Sequence, residues 1–236
     1  LPINGKPGLE YILDECIEAG IKEVIFIISK KKMMIKKYFY NDKFYKDIIK
    51  KKGDPKIIKE YKKILKYKKM IKFVFQDKPL GTGDAVYKTK KFITDKYFLM
   101  LLPDDLIIKK NCSKSMIMVH KKFKTSVMAS MKVNKSDVSR WGIYNIKKKI
   151  DKNNFIINNV VEKPSIKTSP SNNAVIGRYI LPKTIFSKLK SLKPGKSGEF
   201  HITDAIQALI EDDHQFIGHN FSGKYLDCGT MNGYIK

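Results

Sequence analysis

Apolar positions along this chain fall into two rhythms. Leu9, Tyr11, Ile12, Leu13, Cys16 and Ile17 recur at helical spacing until Ala19-Gly20 ends the segment. Val24 to Ile28 then reads as a short buried strand. The alternation continues with a helix over Lys31 to Tyr40, a lysine-rich amphipathic helix over Pro55 to Tyr67 and a strand over Ile71 to Phe75. A helix follows Gly81-Thr82-Gly83 to about Lys90, then a strand over Tyr97 to Leu102 and a helix over Ser113 to Lys124. Strands separated in this way by helices predict an α/β fold with a mixed, mostly parallel, doubly wound sheet.

From Thr125 onward strand follows strand. Val127 to Val133, Gly142 to Ile146, Phe155 to Val161 and Ala174 to Leu181 are separated by polar turns, so this half is expected to extend the sheet and build a pocket or lid over its edge. A helix is expected from Pro182 to about Leu192, Lys193-Pro194-Gly195 breaks the chain, and a last helix covers Ile202 to Ile210. The lysine-dense stretch from Lys46 to Lys69 keeps an amphipathic pattern and reads as a charged surface insertion.

The run from Tyr97 through Leu102 and Pro103 into Asp104 and Asp105 joins an apolar strand directly to two carboxylates. Six apolar residues in a row predict a strand buried on both faces. Ligands of open α/β sheets bind beyond the carboxyl ends of strands, where hard oxygen ligands suit Mg²⁺ carried by a phosphate. The same two aspartates would also serve to solvate a turn or cap a helix.

Length and charge narrow the classes. At 236 residues the chain can bury one sizeable core, so one domain is expected. The net charge of +25 would suit nucleic acid or an anionic membrane, yet of 48 basic residues only Arg140 and Arg178 are arginine. Readers of bases and phosphates lean on the guanidinium fork, and these lysines are spread over the whole length, so a solvated lysine coat is the expectation and neither nucleic acid nor membrane is a predicted partner. No run of eighteen apolar residues and no signal-peptide pattern occurs, which predicts a soluble, cytoplasmic protein. Cys16, Cys112 and Cys228 are an odd, scattered set and read as packing thiols. His120, His201, His214 and His219 lack the spacing of a metal site or triad and read as surface or capping residues.

Several short strings have chemical promise. Gln76-Asp77-Lys78-Pro79-Leu80-Gly81-Thr82-Gly83-Asp84 lies between a strand and a helix, where glycines admit a ligand and free helix amides can meet a base edge or phosphate; a plain glycine turn is the alternative. Glu162-Lys163-Pro164 ends a strand in an acid and a base, suited to sugar hydroxyls and a phosphate or to a surface ion pair. Gly177 sits inside the strand around Arg178 and Tyr179, as glycine does where a ligand meets backbone. Asp227-Cys228-Gly229 offers either a second metal carboxylate or an Asx turn.

Taken in order, these strings are specific. Leu1-Pro2, Lys6-Pro7, Gln76 through Gly83, Leu102 through Asp105, Trp141-Gly142, Glu162-Lys163-Pro164, Gly177-Arg178-Tyr179, Gly198-Glu199 with Thr203-Asp204-Ala205-Ile206, and Asp227-Cys228-Gly229 resemble the bacterial UTP:glucose-1-phosphate uridylyltransferases from end to end. The resemblance implies the Rossmann-like sheet of nucleotide-diphospho-sugar transferases. A single domain is implied over residues 1–236, with 1–124 binding nucleotide and 125–236 binding sugar phosphate. It implies uridylyl transfer from UTP to glucose-1-phosphate, with Mg²⁺. A pyrophosphorylase for dTTP or another sugar phosphate and a noncatalytic polyanion-binding protein are the alternatives. By position, Gln76 and Gly81 look like the uracil-reading pair, Asp104 like the principal Mg²⁺ ligand and Asp227 like its partner. Glu162 and Gly177 look like contacts to glucose hydroxyls, Gly142 like a backbone contact to the sugar, and Lys163 like the catalytic clamp on the sugar phosphate. The family's glycine-rich loop, with its arginine and lysine, precedes the position of Leu1, so that loop and the first strand are expected to be missing. The carboxyl end is expected to stop within a helix used for subunit contacts, which would make the full-length protein a homo-oligomer.

Overall fold

The computed structural model describes residues 2–3, 5–195 and 198–230. A short antiparallel pair, β1 (Pro2–Ile3) and β2 (Lys6–Pro7), leads into α1 (Gly8–Glu18). β3 (Val24–Ile28) is followed by α2 (Met33–Tyr40), α3 (Asp42–Lys52) and α4 (Pro55–Met70), and β4 (Ile71–Phe75) returns parallel to β3. Then come α5 (Thr82–Tyr87), β5 (Tyr97–Leu101), β6 (Asp105–Ile108), α6 (Cys112–Phe123) and β7 (Ser126–Lys132). The rest is β8 (Gly142–Lys149), β9 (Asn154–Glu162), β10 (Asn173–Pro182), α7 (Ile185–Ser191), α8 (Ile202–Glu211), β11 (Phe216–Asn220) and β12 (Lys224–Asp227).

Local chemistry sets these boundaries. Asp54 accepts the Lys56 N–H at 2.8 Å with Pro55 in the first turn of α4, and Asn111 accepts the Lys114 N–H at 2.8 Å to start α6. The stretch read as one charged insertion is two packed helices, because Gly53-Asp54-Pro55 breaks α3 from α4.

Six strands form the main sheet in the order β5-β10-β7-β11-β9-β8. β5, β7 and β11 run in one sense, as expected of a wound α/β sheet, while β10 lies between β5 and β7 and is antiparallel to both. The mixed sheet therefore keeps its parallel strands even though most neighbouring pairs are antiparallel. Among the described residues β3 and β4 have no backbone pairing to this sheet. The helix expected at the carboxyl end falls on residues 231–236, outside the described residues.

Apolar cores lie on either side of the main sheet and under β3. Met128, Tyr144, Phe155, Leu181, Ile206 and Phe216 pack beneath α7 and α8; Met116, Val127, Ile176 and Ile217 pack beneath α6; Leu13, Cys16, Phe26, Phe39 and Tyr67 join α1, α2 and α4 to β3. Two expectations change. β5 is half-buried along its whole length, because it is the edge of the six-stranded sheet. Strands β6, β11 and β12 were not foreseen, and in β11 the polar sequence Gly218-His219-Asn220 conceals a strand whose glycine is required: a Cβ there would meet the Phe155 ring at 2.2 Å. His219 is accordingly buried, 8% exposed, with Nδ1 hydrogen-bonded to Asn154 Oδ1 at 2.8 Å, and is not the surface residue expected. Among the described residues no helix is long and apolar enough to cross a membrane.

Candidate active site

The glycine string after β4 is folded against a distant segment. Gly81 has φ of +95°, a conformation open to glycine, and opens α5. Its carbonyl accepts Gln76 Nε2 at 3.0 Å, and the same nitrogen donates to Asp84 Oδ2 at 2.8 Å. From the chain ahead of α8, Phe200 receives the Gly83 N–H on its carbonyl at 2.7 Å and donates its own N–H to Leu80 O at 2.8 Å. Thr82 Oγ1 accepts the Ile202 N–H at 3.1 Å. The helix start is therefore not a row of free amides, since the Gly83 N–H is already engaged. This backing strap explains the proximity of the glycine string to the Gly198-Glu199 and Thr203-Asp204 motifs.

At the end of β5 the chain turns through Pro103 and Asp104, and Asp105 enters β6. Neither aspartate caps a helix. Asp104 is exposed, and its carbonyl accepts the Cys228 N–H at 2.8 Å, which ties the turn to the segment after β12. Asp105 points inward: Oδ2 accepts the Gly177 N–H at 2.7 Å and Oδ1 accepts the Tyr225 hydroxyl. Burial raises the Asp105 pKa, with the neighbouring Asp104 charge adding to it, against the opposing effect of those two hydrogen bonds.

Asp104 and Asp227 meet at Gly229. A Cβ built on Gly229 would lie 3.1 Å from Asp104 Oδ2 and 3.4 Å from Asp227 Oδ1, so the missing side chain leaves a gap flanked by two carboxylates. Hard oxygen donors around such a gap fit a divalent cation. Asp227 also forms the Asx turn: Oδ1 accepts the Gly229 N–H at 2.9 Å and Oδ2 the Thr230 hydroxyl at 2.9 Å. The Asx turn orients the Asp227 carboxylate beside Gly229. Among the described residues no cluster of three or more acidic, histidine or cysteine side chains forms a metal site, so a cation here would take its other ligands from phosphate oxygens or water.

The remaining residues lie along β8, β9 and β10. Gly142 faces Glu162 across the antiparallel pair, and a Cβ on it would come 3.0 Å from Glu162 Oε2. Lys163, just past β9, has φ of +46° and is held there by its N–H to Trp141 O at 2.9 Å, with its side chain exposed. Gly177 leaves room for the interior: a Cβ would lie 2.6 Å from both Asp105 Oδ2 and Leu102 Cβ. Its N–H is engaged by Asp105, and its carbonyl accepts the Leu102 N–H at 2.8 Å. Tyr179, in β10, is buried; burial raises its pKa first, and the charges of Asp105, Glu162 and Asp104 add to this against the opposing charge of Arg178.

Arg178, fully buried, had no expected role. Its Nε and Nη2 grip Glu15 at 3.0 to 3.2 Å, while Nη1 donates to Leu102 O at 3.1 Å and Nη2 to Asp105 O at 2.7 Å, on either side of the Pro103-Asp104 turn. Glu15 also accepts from the Ser113 hydroxyl at 2.5 Å. An arginine inside an apolar strand was the only signal in the sequence. The thiols are packing groups as expected, with burial pushing Cys16 up to about 12.

Comparison with known proteins follows the same outline. The nucleotidyl transferase family matches residues 1–236. The chain is 33% identical over 237 residues to UTP–glucose-1-phosphate uridylyltransferase 2 of Staphylococcus saprophyticus, covering 100% of this chain and 81% of that protein. A UDP-glucose pyrophosphorylase solved in complex with UDP-glucose superposes with a TM-score of 0.84 at 32% identity, covering 100% of this chain and 86% of that one. A UTP-bound enzyme of the same kind from Acinetobacter baumannii gives 0.86 at 28% identity, covering 98% and 80%. With the family matched from end to end, this chain belongs to the nucleotidyl transferases.

Proposed function

We propose that this protein transfers a uridylyl group from UTP to glucose-1-phosphate, giving UDP-glucose and pyrophosphate. The meeting of Asp104 and Asp227 across Gly229 carries the reading, because paired carboxylates suit a divalent cation that would bring a triphosphate and a sugar phosphate together. A nucleotidyl transfer of this kind asks little covalent chemistry of the protein, since a phosphate oxygen of the sugar displaces pyrophosphate from the α-phosphorus in line. Positioning and charge neutralisation are the protein's tasks.

Each residue then has a task. The Gly81 N–H donates to a ring carbonyl of uracil and Gln76 Oε1 accepts from the ring imide. Asp104 and Asp227 hold Mg²⁺, which when bound neutralises phosphate charge. Glu162 accepts sugar hydroxyls, Gly142 keeps that carboxylate's space open and lets backbone approach the sugar, and Lys163 neutralises the sugar phosphate. Gly177 serves the sugar side through the shape it gives β10, since its N–H is already engaged by Asp105. Residues 1–124 carry the nucleotide contacts and residues 125–236 the sugar-phosphate contacts, in a cytoplasmic protein that is a homo-oligomer when full length and binds neither nucleic acid nor membrane.

Pyrophosphate release, assayed with each component omitted in turn, tests this. Release is expected only with UTP, glucose-1-phosphate and Mg²⁺ together. Faster release with dTTP overturns the nucleotide assignment, and undiminished turnover by Asp104→Ala overturns the metal assignment.

A further inference from the structure

Gln76 is held by two groups that can only accept hydrogen bonds. Its side-chain amide nitrogen lies 3.0 Å from the Gly81 carbonyl oxygen and 2.8 Å from Asp84 Oδ2. A carbonyl has no proton to give, and neither does an ionised carboxylate. Of the two ways to place the amide, only one puts nitrogen on these partners; the flipped amide would set its oxygen against two others. The amide oxygen is thereby turned away from both.

We propose that Asp84 is a specificity-determining residue that acts through Gln76, pinning its amide so that the site offers an acceptor and selects a base with a ring N–H over one with a bare ring nitrogen. The inference rests on the assignment of Gln76 to base reading. Uracil presents an imide N–H between two carbonyls; cytosine presents an unprotonated ring nitrogen beside an amino group. A freely turning glutamine amide would serve either base, because rotation exchanges its donor and acceptor. A glutamine locked with oxygen outward satisfies uracil and leaves cytosine's ring nitrogen facing another lone pair.

The position of Asp84 suits this role. It lies in the first turn of α5 and its side chain is 16% exposed. Its second oxygen, Oδ1, is 3.7 Å from Lys88 Nζ, one turn further along the helix, so a cation faces the carboxylate oxygen that Gln76 does not use. The hydrogen bond to Gln76 is therefore charge-assisted, stronger than the neutral one to Gly81, and is the larger barrier to flipping.

The affinities of UMP and CMP, measured by calorimetric titration of the protein without metal or sugar phosphate, test the proposal. UMP is expected to bind more tightly than CMP. Asp84→Ala is expected to narrow the UMP-to-CMP ratio by about tenfold, the effect of one charge-assisted hydrogen bond at the low end of its range. Asp84→Glu, which keeps the acceptor on a longer arm, should restore part of the ratio. Lys88→Ala, which removes the ion pair and leaves the carboxylate, should stay within about threefold of the parent, since a 3.7 Å pair whose lysine is open to solvent contributes little. Thermal melting of each variant separates lost selectivity from lost folding. A ratio in Asp84→Ala within twofold of the parent, while Gln76→Ala abolishes selectivity, overturns the proposal and leaves the base-reading assignment standing. An unchanged ratio in Gln76→Ala overturns both.

Discussion

The carbonyl oxygen of Phe200 lies 2.5 Å from the point where a Cβ on Gly81 would sit. The glycine string after β4 and the strap ahead of α8 are thus in contact at a position where only glycine fits, doubly so because Gly81 has φ of +95°. Gly81→Ala is expected to push the strap away and disturb the Gln76 contact, with stability falling by about 1–3 kcal/mol from backbone strain. Uridine nucleotide affinity should fall as well. Denaturant unfolding and nucleotide titration on the same variant check both.

The two aspartates at the end of β5 should separate cleanly. Asp104 is exposed, so Asp104→Asn should leave stability within about 0.5 kcal/mol while weakening Mn²⁺ binding, read by electron paramagnetic resonance. Asp105 accepts from both Gly177 and Tyr225, and an asparagine can offer only one oxygen to the two donors. Asp105→Asn should therefore destabilise by about 1–3 kcal/mol, the penalty of a buried polar group left unpaired.

Arg178 and Glu15 form a buried ion pair whose partners cannot be removed singly without loss. Arg178→Met should destabilise by about 3–5 kcal/mol because Glu15 is left charged in the interior. Adding Glu15→Gln should recover part of that loss. A double variant no more stable than Arg178→Met in chemical denaturation would show that the carbonyl contacts at Leu102 and Asp105, not the charge pair, dominate.

His214 and His219 give a defined acid response. Burial lowers the pKa of both below the ordinary 6.5, opposed at His219 by Asp151. Below that value the unfolded chain binds more protons at these sites than the folded one, so their contribution to stability is full above pH 6.5 and is lost as pH falls through their folded values. Melting temperature is expected to drop more steeply between pH 6.5 and 5 in the parent than in a variant carrying His214→Gln and His219→Gln.

Periodicity and punctuation alone were enough to read most elements here. The spacing of Leu9 to Ile17, the runs at Val24 and Ile71, and the breaks at Gly20 and Gly195 are local, and local propensity with burial of one face decides helix from strand. Order along the chain made Gln76, Gly81, Asp104, Gly142, Glu162, Lys163, Gly177 and Asp227 the candidates. Pairing partners belong to the tertiary structure. No spacing shows that β10 inserts antiparallel between β5 and β7, that Phe200 backs Gly81, or that the N–H of Gly177 is given to Asp105, because each joins residues far apart in sequence whose meeting depends on the packed sheet. Adjacent aspartates made the same point: Asp104 and Asp105 are chemically identical, and only the direction each faces, one to solvent and one to the core, assigns one to the candidate cation site and the other to holding the strands that build it.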